Sequence, residues 1–144
     1  MRVVLDTTIL VRANGSARGL ARTLLLHIIG GRHVLLVSEE ILYELARVLR
    51  YPRMQSLYGL TEADVYNYVG FLRESARTVT PNPLLNVPIR DPKDIIVVQT
   101  AVAGSADVIC TKDRDFYDQA LERFLKPLGI IVVDDISLMR KLRS

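Results

Sequence analysis

The chain has 144 residues, 49% of them hydrophobic, and a formal net charge of +3. That is the size of one ordinary domain, residues 1–144, with too much apolar content for a disordered chain. The charge is compatible with a polyanionic partner without requiring one, the single cysteine excludes an internal disulfide and fits a reducing cytoplasm, and no apolar run reaches the ~18 residues of a membrane span.

In chain order, "RVVLD" reads as a strand ending on Asp6, and because Asp6 interrupts the apolar start no signal peptide is expected. "ARGLARTLLLHII" follows as a helix that stops at Gly30-Gly31. "HVLLVS" is the second strand. "SEEILYELARVLR" is a helix with Ser38 as N-cap, two glutamates in its first turn and an apolar face of Ile41, Leu42, Leu45, Val48 and Leu49. "TEADVYNYVGFLRESA" is a helix capped by Thr61, and "ARTVTP" is a short, weak strand candidate. "DPKDIIVVQTAVAG" is a helix apolar on most sides, with Asp91 as N-cap, Pro92 as the first helical residue and Asp94 two residues later. "DVICT" and "GIIVVD" are strands, and "DRDFYDQALERFL" and "DDISLMRKLR" are helices, the last capped by Asp134 and Asp135. Alternating apolar strands and helical patterns predict an α/β fold with a central parallel sheet of four to five strands, covered by helices on both faces.

In such sheets ligands bind at the carboxyl ends of the strands. Asp6 ends the first strand and Asp113 follows "DVICT", so the two are expected at one sheet edge. Glu44 borders the apolar face of its helix, where an acid needs a partner or a cation. Asp94 begins a helix at the same edge. Four carboxylates in one pocket cannot all ionise without counter-charge. Mg²⁺ or Mn²⁺, which prefer hard oxygen ligands, would supply it and would activate water towards a phosphodiester. No CxxC or HxH pair suggests zinc, and His27 and His33 stand away from the acids.

The ordered set "VVLDTTIL", "SEEILYELARVL" and "DIIVVQTAVAGSADVICTKDRDF" resembles the PIN domain family, within it the VapC-like toxin ribonucleases, over essentially the whole chain. "RDPKD" and "LRYPRM" are most similar to a toxin subgroup of that family. The resemblance implies a three-layer α/β/α domain, Mg²⁺- or Mn²⁺-dependent cleavage of RNA, a cognate antitoxin, a homodimer and a cytoplasmic location. It assigns the metal-binding acids to Asp6, Glu44, Asp94 and Asp113, with Asp115 as a frequent fifth, and a supporting hydroxyl to Thr111. Asp94 stands seven residues before Ala101 as in the family, which makes Asp94 the ligand and Asp91 the cap. The family's usual asparagine is replaced by Thr8, so a supporting hydrogen bond is altered.

Other readings stay open at this level. Asp115 is either a ligand or the cap of the following helix. Arg12, Arg47, Arg50 and Arg53 either track RNA phosphates or are solvated helix ends. Tyr43, Tyr51 and Tyr58 either stack on bases or pack. A PIN-fold module that binds RNA or protein without cutting rests on Thr8 alone. A phosphatase lacks its Asp-x-Asp, a receiver domain lacks its acidic pair, and "TTILVRANGSARG" is not a dinucleotide-binding loop.

Overall fold

The computed structural model describes residues Met1–Arg143. Its elements run β1 (Arg2–Leu5), α1 (Thr7–Arg12), α2 (Leu20–Gly30), β2 (Val34–Val37), α3 (Glu39–Leu49), α4 (Pro52–Tyr58) and α5 (Glu62–Ser75). They continue with β3 (Arg77–Thr78), α6 (Pro92–Ala103), β4 (Val108–Cys110), α7 (Gln119–Leu125), β5 (Ile131–Val133) and α8 (Asp135–Arg143). All five strands are parallel, in the order β3-β2-β1-β4-β5. The chain therefore steps outwards from β1 through β2 to β3, then returns past β1 to add β4 and β5. Right-handed crossovers in opposite directions put the connecting helices before β3 and those after it on opposite faces, which makes the three layers, and α8, which follows the last strand, returns to pack on α2.

β1, β2 and β4 are near-continuous apolar runs because both their faces are covered, and all of Val3, Val4, Leu5, Leu35, Leu36, Val37, Val108, Ile109 and Cys110 are buried. β5 has a similar sequence but lies at an edge, and its Ile131 is exposed. β3 is only two exposed residues long, paired to Leu36 and Val37. The buried apolar side chains form one connected core. Helix α6 packs on β1, β2 and β4, and α2 packs against α8. Among the described residues no helix is long and apolar enough to cross a membrane.

Two helices depart from the expected order. The sequence reading assigns no element to the run after Asp6, and the structure has a helix there: the Asp6 side chain caps α1 and turns the chain at once. After Arg50 the chain turns and begins α4, with Pro52 in its first turn, the position where proline is tolerated best. The helix expected from Asp113 to Leu125 is also broken. A 3₁₀ turn covers Arg114–Tyr117 and Asp118 then caps α7.

Polar clips hold the layers in register. The Ser38 and Thr100 hydroxyls are 2.8 Å apart, which joins the start of α3 to α6. The Tyr68 hydroxyl on α5 donates to the Leu10 carbonyl on α1 at 2.7 Å. Gln99 on α6 donates to the Leu85 carbonyl at 3.1 Å and anchors the long connection before α6.

Two glycines give opposite expectations. A Cβ on Gly104, at the end of α6, would lie 2.6 Å from Cδ1 of Leu36, which the core holds in place. A Cβ on Gly70, inside α5, would meet nothing within 4 Å. Gly104→Ala should therefore destabilise the fold by about 1–3 kcal/mol, while Gly70→Ala should stabilise it by about 0.5–1 kcal/mol. Urea unfolding midpoints measure both, and a loss from both alike would contradict this packing.

Candidate metal centre

Leu5 on β1 pairs with Cys110 on β4, and the Asp6 N–H donates to the Cys110 carbonyl at 3.1 Å. The carboxyl ends of these two strands are thus adjacent. They are also the two strands between which the order of the sheet reverses, the place where open α/β sheets bind ligands.

Asp6 is buried there. One carboxylate oxygen accepts the Ile9 N–H at 3.0 Å as the cap of α1. The other accepts the hydroxyl of the fully buried Thr111. Thr111 Oγ1 also accepts the Asp113 N–H at 3.0 Å, so one hydroxyl fixes both Asp6 and the backbone that carries Asp113. Burial raises the Asp6 pKa above the ordinary carboxylate value. The hydrogen bonds from Thr111, Ile9 and Thr8 oppose that rise, and the charge of Asp113 adds to it.

Asp94 comes from the first turn of α6, after the Asp91 cap whose Oδ1 accepts the Lys93 N–H at 2.9 Å. Its Oδ2 is buried and has no hydrogen-bond partner among the described residues. Burial, then the charges of Asp113, Asp91, Asp6 and Asp115, push the Asp94 pKa up to about 7. A buried acceptor left without a donor is costly. Asp113 Oδ1 accepts the Asp115 N–H at 2.9 Å and so opens the 3₁₀ turn. Asp118, not Asp115, caps α7, accepting the Ala120 N–H at 3.2 Å. The Asp115 carboxylate is left beside Asp113, with the Arg90 guanidinium 4.0 Å away.

Asp94, Asp113 and Asp115 each offer an oxygen within 4.8 Å of the others. Oxygens on opposite sides of an ion with ligand distances near 2.1 Å lie about 4.2 Å apart. The set is all carboxylate, and Asp94 brings an oxygen with no other partner. These residues fit a hard divalent cation and do not fit a thiolate- or imidazole-loving metal.

Glu44 shares a cavity of about 290 Å³ with Asp6, Thr8, Lys93, Asp94 and Asp113, but in a different electrostatic setting. Arg47 forks onto it at 2.8 and 3.1 Å, and Lys93 Nζ stands 3.4 Å away. The Arg47 hydrogen bond holds its pKa below the ordinary value, although burial works against this and the Lys93 charge helps. Sequence reasoning did not single out Lys93. The available signal was a cation in the first turn of a helix, where the dipole disfavours it. Of the basic residues considered for RNA contact, Arg47 is thus engaged by Glu44 and lies over the Tyr51 ring at 5.5 Å. Arg50 pairs with Glu62 at 3.0 Å. Arg12 ends α1, is exposed, and forms no ion pair among the described residues. A larger groove of about 570 Å³ lies over α3 and α5, and no acidic cluster lines it.

The family model for the PIN domain matches residues 2–115. No curated protein matches. Among solved structures, one similar chain comes from the crystal structure of VapBC2 from Rickettsia felis bound to a DNA fragment from their promoter. It has 14% identity and a TM-score of 0.58, covering 93% of this chain and 98% of that one. The matched segment runs from the start of β1 to Asp115, taking in Asp6, Glu44, Asp94 and Asp113, and on this evidence the chain belongs to the PIN domain family.

Proposed function

We propose that this protein is a Mg²⁺- or Mn²⁺-dependent endoribonuclease, the toxin of a toxin–antitoxin pair, with a cognate antitoxin as its restraining partner. The observation that carries the reading is the unpartnered buried oxygen of Asp94 beside Asp113 and Asp115 at a strand-order reversal. Membership of the PIN family supports nuclease chemistry, and the likeness to a VapBC2 chain supports the antitoxin. RNA as substrate, a homodimer and a cytoplasmic setting are carried by the resemblance of the sequence.

In this reading Asp94, Asp113 and Asp115 hold the ion, with Asp6 completing the acid set. A bound divalent ion supplies Lewis acidity, lowering the pKa of a water and drawing charge from the phosphate. The chain supplies everything else. Thr111 and the start of α1 fix both oxygens of Asp6, yet a carboxylate oxygen accepts more than one bond, so Asp6 keeps capacity to orient a water. Buried surroundings strengthen each of these interactions. Hydrolysis adds water across a P–O bond, and the leaving oxygen takes the proton. Thr8 lines this cavity where the family resemblance expects asparagine, which favours a second reading, a PIN-fold module that binds without cutting.

The purified protein should cut single-stranded RNA with Mn²⁺ or Mg²⁺ and stop with EDTA, and Asp6→Asn or Asp94→Asn should each lower the rate at least ~100-fold, as expected for an essential charge-stabilising group. Binding of Mn²⁺ and RNA without any cleavage would select the second reading. The absence of both binding and cleavage would overturn the site itself.

The Asp94 pKa gives a separate expectation for metal-free protein. Folded Asp94 holds its proton up to about pH 7, and unfolded Asp94 only to about 3.8, so the folded state binds more protons between these values. Stability contributed by this group is present below that window and is lost as pH rises through it. In EDTA, the melting temperature should fall from pH 5 to pH 8, and Asp94→Asn should flatten that fall. Saturating Mn²⁺ should stabilise the wild type most at pH 8, because the ion binds the ionised form.

A further inference from the structure

Glu44 belongs to the acid set by sequence, but its partners set it apart from the other three. Both its oxygens are already engaged by cations, Oε2 by Arg47 Nε, and Oε1 by Arg47 Nη2 and Lys93 Nζ. Its side chain is 15% exposed, and Arg47 is backed by the Tyr51 ring. Asp94, in contrast, has a buried oxygen with no partner. An ion placed on Glu44 would stand beside two positive side chains, while an ion at Asp94, Asp113 and Asp115 would meet the unpartnered Asp94 oxygen and two further acids, with Arg90 paired only at 4.0 Å from Asp115.

Lys93 is the second observation. It occupies the second position of α6, between Pro92 and Asp94. A cation in a first turn opposes the helix dipole, so helix stability does not explain it. Its ammonium is held by Glu44 across the gap between α6 and α3, and Lys93 lines the same cavity as Asp6, Asp94 and Asp113. Its side chain remains 54% exposed. A half-exposed ammonium beside an acidic ion site, at a helix start whose N–H groups favour anions, is placed for a phosphate oxygen.

We propose that Lys93 is a phosphate-contacting residue and Glu44 its positioning residue, so that the centre takes one divalent ion, at Asp94, Asp113 and Asp115, with Lys93 as the second positive charge. This rests on the nuclease reading above and deepens it. No metal ligand is lost from the three aspartates when Glu44 or Lys93 is changed, which separates this inference from a centre with four acidic ligands.

Calorimetric titration with Mn²⁺ tests it without turnover. Wild type should bind one ion per chain. Glu44→Gln and Lys93→Met should bind one ion with affinity within fivefold of wild type, whereas Asp94→Asn should lose more than fivefold. A short single-stranded RNA with phosphorothioate linkages, which resists cleavage and keeps its charge, serves as the second probe in the presence of Mn²⁺. Lys93→Met and Glu44→Gln should each weaken its binding more than fivefold. Lys93→Met should also reduce the slope of log affinity against log salt by about 0.7, the loss of one phosphate contact, and Lys93→Arg should restore both. Circular dichroism confirms that each variant folds. Two ions per wild-type chain, a loss of Mn²⁺ affinity in Glu44→Gln above fivefold, or unchanged RNA binding in Lys93→Met would each overturn the inference and leave the nuclease reading standing. No Mn²⁺ bound by the wild type would overturn both.

Discussion

One buried hydroxyl holds the candidate site together. Thr111 donates to Asp6 and accepts from the Asp113 backbone, and so joins the end of β1 to the segment that follows β4. The two strands are adjacent only because the chain reverses its direction across the sheet after β3. Without that reversal Asp6 and Asp113 would end strands that do not touch. Each strand end is made to turn immediately by its own acid: Asp6 caps α1, and Asp113 opens the 3₁₀ turn that leaves Asp115 beside it. The acids are thus structural caps as well as candidate ligands, and the same local chemistry serves both roles. The Tyr117 hydroxyl adds a further tie, donating to the Thr111 carbonyl at 2.6 Å.

The acids at this edge are not electrostatically equivalent. Burial raises Asp6 and Asp94, and the neighbouring aspartates add to the rise at Asp94. Glu44 moves the other way because Arg47 and Lys93 neutralise it. A folded protein with Asp94 ionised and unpaired bears a desolvation cost that a cation would relieve. The Ser38–Thr100 and Gln99–Leu85 hydrogen bonds tie α6, whose first turn carries Asp94, to its neighbours. Coupling between ion binding and stability follows from this arrangement, since the ion meets a charge the fold itself leaves uncompensated.

Much of this was legible in the sequence, and the reasons differ by element. The runs "VVL", "LLV" and "VIC" identify doubly covered parallel strands because no polar residue interrupts them. Ser38, Thr61 and Asp91 mark helix starts that the structure contains, Thr61 with a full capping box closed by Asp64. The resemblance to the PIN domain family holds over residues 2–115. Helix α1 was not legible, because Thr7, Thr8, Ile9 and Val11 are β-branched and local propensity favours a strand there; burial against the core overrides it. Local spacing encodes the i,i+3 pairing of Glu44 with Arg47, but the Lys93 contact crosses from α3 to α6 and no local spacing encodes it. Sequence likewise left Asp115 between cap and ligand, and the structure gives the cap of α7 to Asp118.

The proposed nuclease chemistry depends on the three aspartates at the β1–β4 edge forming a divalent-cation centre. Anomalous scattering at the manganese absorption edge, from crystals grown with Mn²⁺, tests it most directly. An anomalous peak is expected about 2 Å from carboxylate oxygens of Asp94 and Asp113, with Asp115 or its water in the same coordination sphere. A Mn²⁺ peak that lies elsewhere on the molecule, or an edge that stays empty at saturating Mn²⁺, would contradict it.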